Sequence, residues 1–553
     1  MKKTVIIAGL ALSGFLCSSC DDLLTTGDAT KVDSGTFTAS TAGLSQVLTS
    51  TYRAFLIGNS MEQPGASYQG ISGFLMLYDL LGSDCVVNKN YGSSPEPIYE
   101  FASARTQSTG DAHYIWEAMY STINEANIII ANVGSAAGTE EEKKVLLGQA
   151  QAIRAFCYFH LLLNYQQTYA VAKDKRGVIL RLSPADDANL PFSPVGVCYD
   201  QVVSDLKAAE ANLASFKRSE RWEVDATVAA GMLARVYQVM GNWDGAFAEA
   251  KKAYEKYGTL MDKEMWCSGM DKLMANGCPE LIWGCKYTNV SNVGSNTVFN
   301  NWWNFDPSYG EGMQDGPLYH FLCIFVDQSY VDLFDGTDYR GTRCDKTAGV
   351  TDADEHGVMF WHRSANGKAE VAAKWAYNKL KSYGDGTYKM GEKNANANHS
   401  YGIDVPLMRG SEMLLIMAEA KANLNATGEA KSLLNTLQGA RQAKLTATTE
   451  KDQLLEAIYV ERRKELLGEG VTGSYDLLRL QKPLVRYEAT KANPAGHFSW
   501  GMTQLDGYNG ADDAPVGRLE SNDYRFICQI PQLEFANNKA IDEQTDQNPY
   551  RGK

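Results

Sequence analysis

The sequence predicts a mainly α fold in which a tetratricopeptide-like scaffold of helical pairs carries one large, irregular, loop-rich lobe. Two stretches predict the pairs. In VAAGMLARVYQVMGNWDGAFAEAKKAYEKYG (228–258), Leu233, Ala234, Tyr237, Gly241, Ala246, Ala250 and Ala253 fall on tetratricopeptide spacing. Small residues there let two antiparallel helices approach, and Tyr237 fills the gap beside them. RGSEMLLIMAEAKANLNATGEAKSLLNTLQGAR (409–441) repeats the pattern of helix, Gly-bearing turn and helix. One such hairpin cannot bury its own face, so further pairs must stack on it. The lobe is predicted by what lies between: from Tyr257 to Pro406 helical periodicity fails, and Gly, Asn and aromatic residues crowd the chain.

In chain order, Lys2 and Lys3 form a basic start, and Val5–Leu16 is an apolar run too short to span a bilayer but suited to a secretory signal. Ser18, Ser19 and Cys20 follow, the arrangement at which a lipoprotein signal is cut to leave a lipidated cysteine. Cys17 departs from the usual aliphatic residue three places before the cut. Residues 1–19 are therefore expected to be a signal peptide, with Cys20 as the lipidation site. Residues 20–43, rich in Thr, Ser, Gly and Asp, suit a tether.

Helical patterns run over 44–57 and 69–82, and 83–112 reads as an exposed functional loop offering Asn88, Asn90, Tyr91 and Tyr99. Amphipathic helices are expected over 113–133, 148–165 and 197–214, with Ile115, Met119, Ile123, Ala126 and Ile130 on one face of the first. A strong helix follows Thr449, and the chain from Gln481 is loop-like. The organisation expected is a tether over 20–43, scaffold over 44–257, insertion over 258–405, scaffold over 406–480 and a loop-rich end over 481–553.

No second apolar run of about 18 residues occurs, so attachment is expected only at Cys20. Removing residues 1–19 takes away Lys2 and Lys3 and moves the formal net charge from −14 to −16, which disfavours nucleic acid and favours neutral or cationic ligands. Nine cysteines remain beyond Cys20, an odd number; mostly buried thiols are expected, and any bridge is expected among Cys267, Cys278 and Cys285.

The chemical motifs point away from catalysis. Gly468-Glu469-Gly470-Val471-Thr472-Gly473 matches GxGxxG, but it ends a helix where a dinucleotide site must open one after a strand. Glu461 and Glu465 share a helix face beside Arg462, Arg463 and Lys464, which reads as ion pairing within the scaffold. Neither HExxH nor GxSxG is present. Asp352, Asp354 and Glu355 lack the EF-hand pattern and read as a solvated acidic loop. The aromatics carry more information, because sugar rings stack their C–H faces on Trp and Tyr while amides and carboxylates bind the hydroxyls. Trp302, Trp303, Tyr309, Trp361 and Trp375 stand in the irregular lobe, the first three beside Asn300, Asn301, Asn304 and Asp306.

Cys20 followed by Asp21-Asp22-Leu23-Leu24 resembles the SusD/RagB family of outer-membrane lipoproteins from Bacteroidota. So do RAFCYFHLLLNY (154–165), YDQVVSDLKAAEANL (199–213), MRGSEMLLIMAEAKANL (408–424), ERRKELLGEG (461–470), Asp476-Leu477-Leu478-Arg479 and Ile530-Pro531-Gln532-Leu533-Glu534. One departure is Val471-Thr472-Gly473-Ser474-Tyr475, where the family usually has an Arg and an aromatic before Asp-Leu. The resemblance implies an irregular ligand-binding lobe on a tetratricopeptide-like scaffold, a cell-surface position, and a partner TonB-dependent outer-membrane transporter to which glycan is delivered. It implies binding without catalysis.

The expectation is thus a glycan-capture lipoprotein with no catalytic residue, cofactor or metal. Its platform is built from 83–112 and 286–375, through Asn88, Asn90, Tyr91, Tyr99, Trp302, Trp303, Tyr309, Trp361 and Trp375. An oligopeptide-binding lipoprotein of the same kind is the alternative, followed by a glycoside hydrolase and a pure protein-interaction scaffold.

Overall fold

The computed structural model describes residues 37–57, 70–87, 96–101, 107, 110–270, 273–274, 277–287, 324–344, 360–364, 373–377, 379–380, 383–384, 401–487, 497 and 518–549. Its longer helices are α1 (Thr41–Ile57), α2 (Gly70–Leu80), α3 (Gly110–Asn132), α4 (Glu140–Tyr165), α5 (Val195–Asn212), α6 (Ala226–Met240), α7 (Trp243–Tyr257), α8 (Gly410–Asn423), α9 (Thr427–Ala440) and α10 (Lys451–Leu466). Strands are short: β1 (Cys85–Val87), β2 (Leu281–Tyr287), β3 (Ile324–Val326), β4 (Arg343–Cys344), β5 (Phe360–Ser364), β6 (Ala373–Tyr377), β7 (Tyr383–Gly384), β8 (Tyr401–Arg409), β9 (Leu484–Val485) and β10 (Arg518–Leu519).

From α3 to α9 each helix packs on the next, so the scaffold is a one-dimensional stack of pairs. The α6–α7 hairpin has the anatomy its spacing predicts. The Asp225 carboxylate accepts from Val228 N at 2.9 Å, Gly241 closes α6 at φ 72°, and Asn242 caps α7 through Gly245 N. Ala246, Ala250 and Ala253 are fully buried beneath it. Helix α4 starts earlier than its apolar pattern, because Thr139 and Glu142 form a capping box ahead of the solvated first turn.

The stack does not stop where the insertion begins. Helix α7 ends at Tyr257, α8 starts at Gly410, and the two pack side by side. A Cβ on Gly410 would lie 2.0 Å from the Tyr257 carbonyl oxygen, so glycine permits this approach. The chain leaves along β2 and returns along β8, antiparallel from Leu281↔Arg409 to Tyr287↔Ile403, with β7 beside β8. Exit and return are thus adjacent, and an insertion of any size fits between them.

A second sheet has the order β1-β3-β6-β5-β4, antiparallel except for β4 with β5. This sheet corrects the reading of 83–112 as an exposed loop: Cys85, Val86, Val87, Ile98, Tyr99 and Phe101 are all buried. Cys267, Cys278 and Cys285, the set in which any bridge is expected, do not bridge; each keeps a thiol. Burial pushes the Cys267 and Cys278 thiols up to about 11.

Candidate ligand-binding site

The β1–β3 pairing joins the two stretches that carry the sugar-compatible composition. Cys85↔Val326, Val86↔Phe325 and Val87↔Ile324 bring the 83–112 segment to the insertion, and Val326↔Trp375 continues the sheet to β6 and then β5. Trp361 lies on β5 in register with Cys344 and Ala376. Asn88, Asn90, Tyr91, Trp302, Trp303, Tyr309 and Cys20 lie outside the described residues, as do Asp352, Asp354 and Glu355.

Two expected platform residues belong to the interior. Trp375 is 4% exposed, and its Nε1 donates to Gln328 Oε1 at 2.7 Å. Tyr99 is 2% exposed, stacked with His497, to whose Nδ1 its hydroxyl is bonded, and covered by the Arg486 guanidinium 3.9 Å from its ring centre. Arg486 in turn donates to the carbonyls of Leu80, Gly82 and Tyr99, closing the end of α2. Composition alone does not separate such a ring from one on a platform, since both functions use large aromatics beside polar groups.

The sheet is bolted to α10. Arg463 grips the Asp84 carboxylate with Nε and Nη2, and Asp84 O accepts from Asp327 N at the start of the next element. Lys379 Nζ donates to the carbonyls of Glu465 and Leu467 and to Glu469 Oε1 at 2.6 Å. Burial draws the Lys379 ammonium down to about 8, against the pull of Glu469. None of Asp84, Lys379, Arg486 or His497 is singled out from sequence, because each has its partner far along the chain, and Arg463, read as an ion-pairing neighbour of Glu461 and Glu465, pairs with Asp84 instead.

Below the sheet lies a buried charge cluster. Glu465 receives Arg340 Nη1 at 2.8 Å, Arg409 Nη1 at 2.9 Å and Arg441 Nη2 at 2.9 Å, while Glu461 receives Arg340 Nη2 at 2.5 Å. Glu280 and Glu469 complete the ring around Arg409. Trp266, fully buried, has the Arg441, Arg409 and Lys379 cations 4.8, 5.3 and 5.4 Å from its ring centre. Burial pushes the Glu465 carboxyl up, but Arg441 and Arg409, followed by Arg340, hold it well below the ordinary carboxylate range. A carboxylate so committed and so enclosed cannot donate a proton to a glycosidic oxygen. Glu461 and Glu465 are structural, as their helix face suggested. Their arginines come chiefly from other elements, while of the adjacent basic residues only Lys464 approaches, 3.7 Å from Glu461.

The GxGxxG segment is a turn after α10. Gly468, Gly470 and Gly473 take φ of 88°, 71° and 56°, and their loop encloses a residue of the chain itself. Asp79 of α2 accepts from Gly468 N at 3.0 Å, Gly470 N at 3.2 Å and Thr472 Oγ1. Burial raises the Asp79 carboxyl to about 7 despite those three donors. The anion-binding turn is filled from within.

Among the described residues no group of three His, Cys, Asp or Glu side chains is placed to hold a metal ion, and no helix is long and apolar enough to cross a membrane.

Residues 347–550 match the family described as "SusD family", and residues 78–238 match the one described as "Starch-binding associating with outer membrane". "SusD-like protein P38" of Formosa agariphila is 24% identical over 398 residues, 68% of this chain and 74% of that one. "SusD-like protein P25" of the same organism is 26% identical over 239 residues, 41% of this chain and 42% of that one. Among solved structures, a "SusD-like carbohydrate binding protein" from Bacteroides vulgatus superposes with TM-score 0.72 at 24% identity, covering 93% of this chain and 99% of that one. A "SusD superfamily protein" from Bacteroides thetaiotaomicron gives 0.66 at 23% identity, covering 92% and 100%. At these identities the likeness to the solved structures is one of fold.

Proposed function

This chain belongs to the SusD/RagB family, and from that premise we propose that it captures oligo- or polysaccharide at the cell surface without cleaving it. The observation that carries the reading is the sheet order β1-β3-β6-β5-β4, which joins the 83–112 stretch to the insertion and rests on the buried charges of α10. A rigid base matters, since each sugar ring buries little area on an open platform and affinity depends on limiting the ordering cost. Asn88, Asn90, Tyr91, Trp302, Trp303, Tyr309 and Trp361 are the proposed ligand residues, and Tyr99 and Trp375 are proposed to stiffen the sheet region instead of meeting ligand.

The chain is further proposed to be anchored in the outer membrane through lipidated Cys20, facing the exterior, and to pass its ligand to a TonB-dependent transporter. The proposed layout is a signal peptide over 1–19, a tether over 20–43, scaffold over 44–257 and 406–480, an insertion over 258–405 and a loop-rich end over 481–553. Fractionation of cells producing Cys20→Ala tests the anchor: the variant is expected in the soluble fraction, and its retention at the surface would contradict the assignment. Pull-down with the lipidated chain is expected to recover a transporter of that class, and recovery of none would remove the delivery step.

A further inference from the structure

A separate open cleft of about 540 Å³ lies where the turn after β3 meets the scaffold, within the ~300–1,000 Å³ typical of small-molecule sites. We propose that it binds a sugar bearing an oxyanion, either a uronate carboxylate or a sulfate ester. This rests on the reading that the chain binds saccharide and adds the class of sugar.

The floor is rigid. Phe334 and Tyr339 are buried, Arg441 Nη1 donates to the Tyr339 hydroxyl at 3.2 Å, and a Cβ on Gly341 would meet Phe334 at 2.3 Å. The two carboxylates in the wall accept internal hydrogen bonds. Asp335 Oδ1 accepts from Thr337 N, Thr337 Oγ1 and Asp338 N, and its Oδ2 accepts from Lys444 N. Asp338 is held by Arg340 and by Lys464, the latter at 2.6 Å. What faces the opening is donors. Lys263 Nζ and the Gln442 side-chain amide have no hydrogen-bond or ion-pair partner among the described residues, and both residues are exposed. Arg343, also exposed, spends Nη2 on the Val331 carbonyl and makes one long contact to Asp332 at 3.4 Å. Gln442 reaches the rim from a left-handed backbone, φ 56°, at the end of α9.

A site whose carboxylates are hydrogen-bonded internally, and which offers an ammonium, an amide and the guanidinium N–H groups that Arg343 does not spend on Val331 and Asp332, favours a ligand that supplies acceptors. The acidic net charge of the whole chain does not oppose this, because at physiological ionic strength charges beyond about 8 Å are largely screened.

The test is calorimetric titration of the full mature chain with three oligosaccharides of equal length: a uronate oligomer, a sulfated oligomer and a neutral one. The double variant Lys263→Met with Arg343→Gln is compared with Lys251→Gln, a charge change on the exposed face of α7. The double variant is expected to lose about tenfold or more in affinity for whichever anionic oligomer binds, the scale of lost charge-assisted bonds. Its Tm and its neutral-sugar binding should match those of the Lys251 control. Equal anionic affinity in the double variant and the control overturns the proposal. Binding of neutral oligomer alone also overturns it and leaves glycan capture standing, whereas binding of none of the three overturns both.

Discussion

Asp79 shows how a single side chain joins distant parts of this fold. It sits on α2, yet its carboxylate closes the turn 468–473 that follows α10, taking two backbone donors on Oδ2 and the Thr472 hydroxyl near Oδ1. Its folded acid range, raised to about 7 by burial, lies above that of an unfolded aspartate. The sign follows directly: the folded state holds the proton longer, so this contribution is fully present below the unfolded pKa and is lost as pH rises through about 7. Between about pH 5 and 6 the loss approaches about 1.4 kcal/mol per pH unit, falling to about half that at pH 7. Asp79→Asn can place its oxygen on the two glycine N–H groups and its NH2 on the Thr472 hydroxyl. It is expected to fold and to lack that slope. Chemical unfolding of both proteins across this pH range measures it, and parallel pH profiles would refute the assignment.

At the same scale, legibility was uneven. Tyr237 and its alanines could be read because a helix pair needs small residues at fixed intervals. Tyr99 and Trp375 could not, because an aromatic beside polar groups looks the same in a hydrogen-bonded core as on a sugar platform.

Among the elements, α10 does the most joining. One face carries Glu461 and Glu465 to arginines from the turn after β3, the end of β8 and the end of α9, and Arg463 holds Asp84 beside β1. Helical periodicity discloses that this face is charged and sequestered, but it carries no information about partners on other elements. The short strands were hidden for a related reason: β1, β3 and β4 have two or three residues each, too few for an alternating pattern to register. Glu465→Gln leaves three buried guanidinium groups short of one negative charge. It should destabilise the chain by about 3–5 kcal/mol, the usual cost of breaking a buried pair from one side. Denaturant unfolding reads that loss directly, and a change under about 1 kcal/mol would mean that the cluster is not what holds the sheet to α10.

On the scale of the molecule, the described strands of the insertion hang from an unbroken helix stack. The stack was legible because local spacing specifies each pair. Its continuity across the insertion was not, since it depends on the contact of Gly410 with Tyr257 and on the β2–β8 ribbon. This architecture separates the roles of scaffold and lobe: the helices supply stability, and the sheet joins the stretches proposed to meet ligand. The most direct test of that account is retention of the full mature chain in native gels containing plant, host or microbial polysaccharide. Short peptides serve as competitors, and polymer length is followed in parallel. The expected result is retardation by at least one polysaccharide, unaffected by peptide, with chain length unchanged. Shortening of the polymer, or binding to the peptides alone, would contradict it.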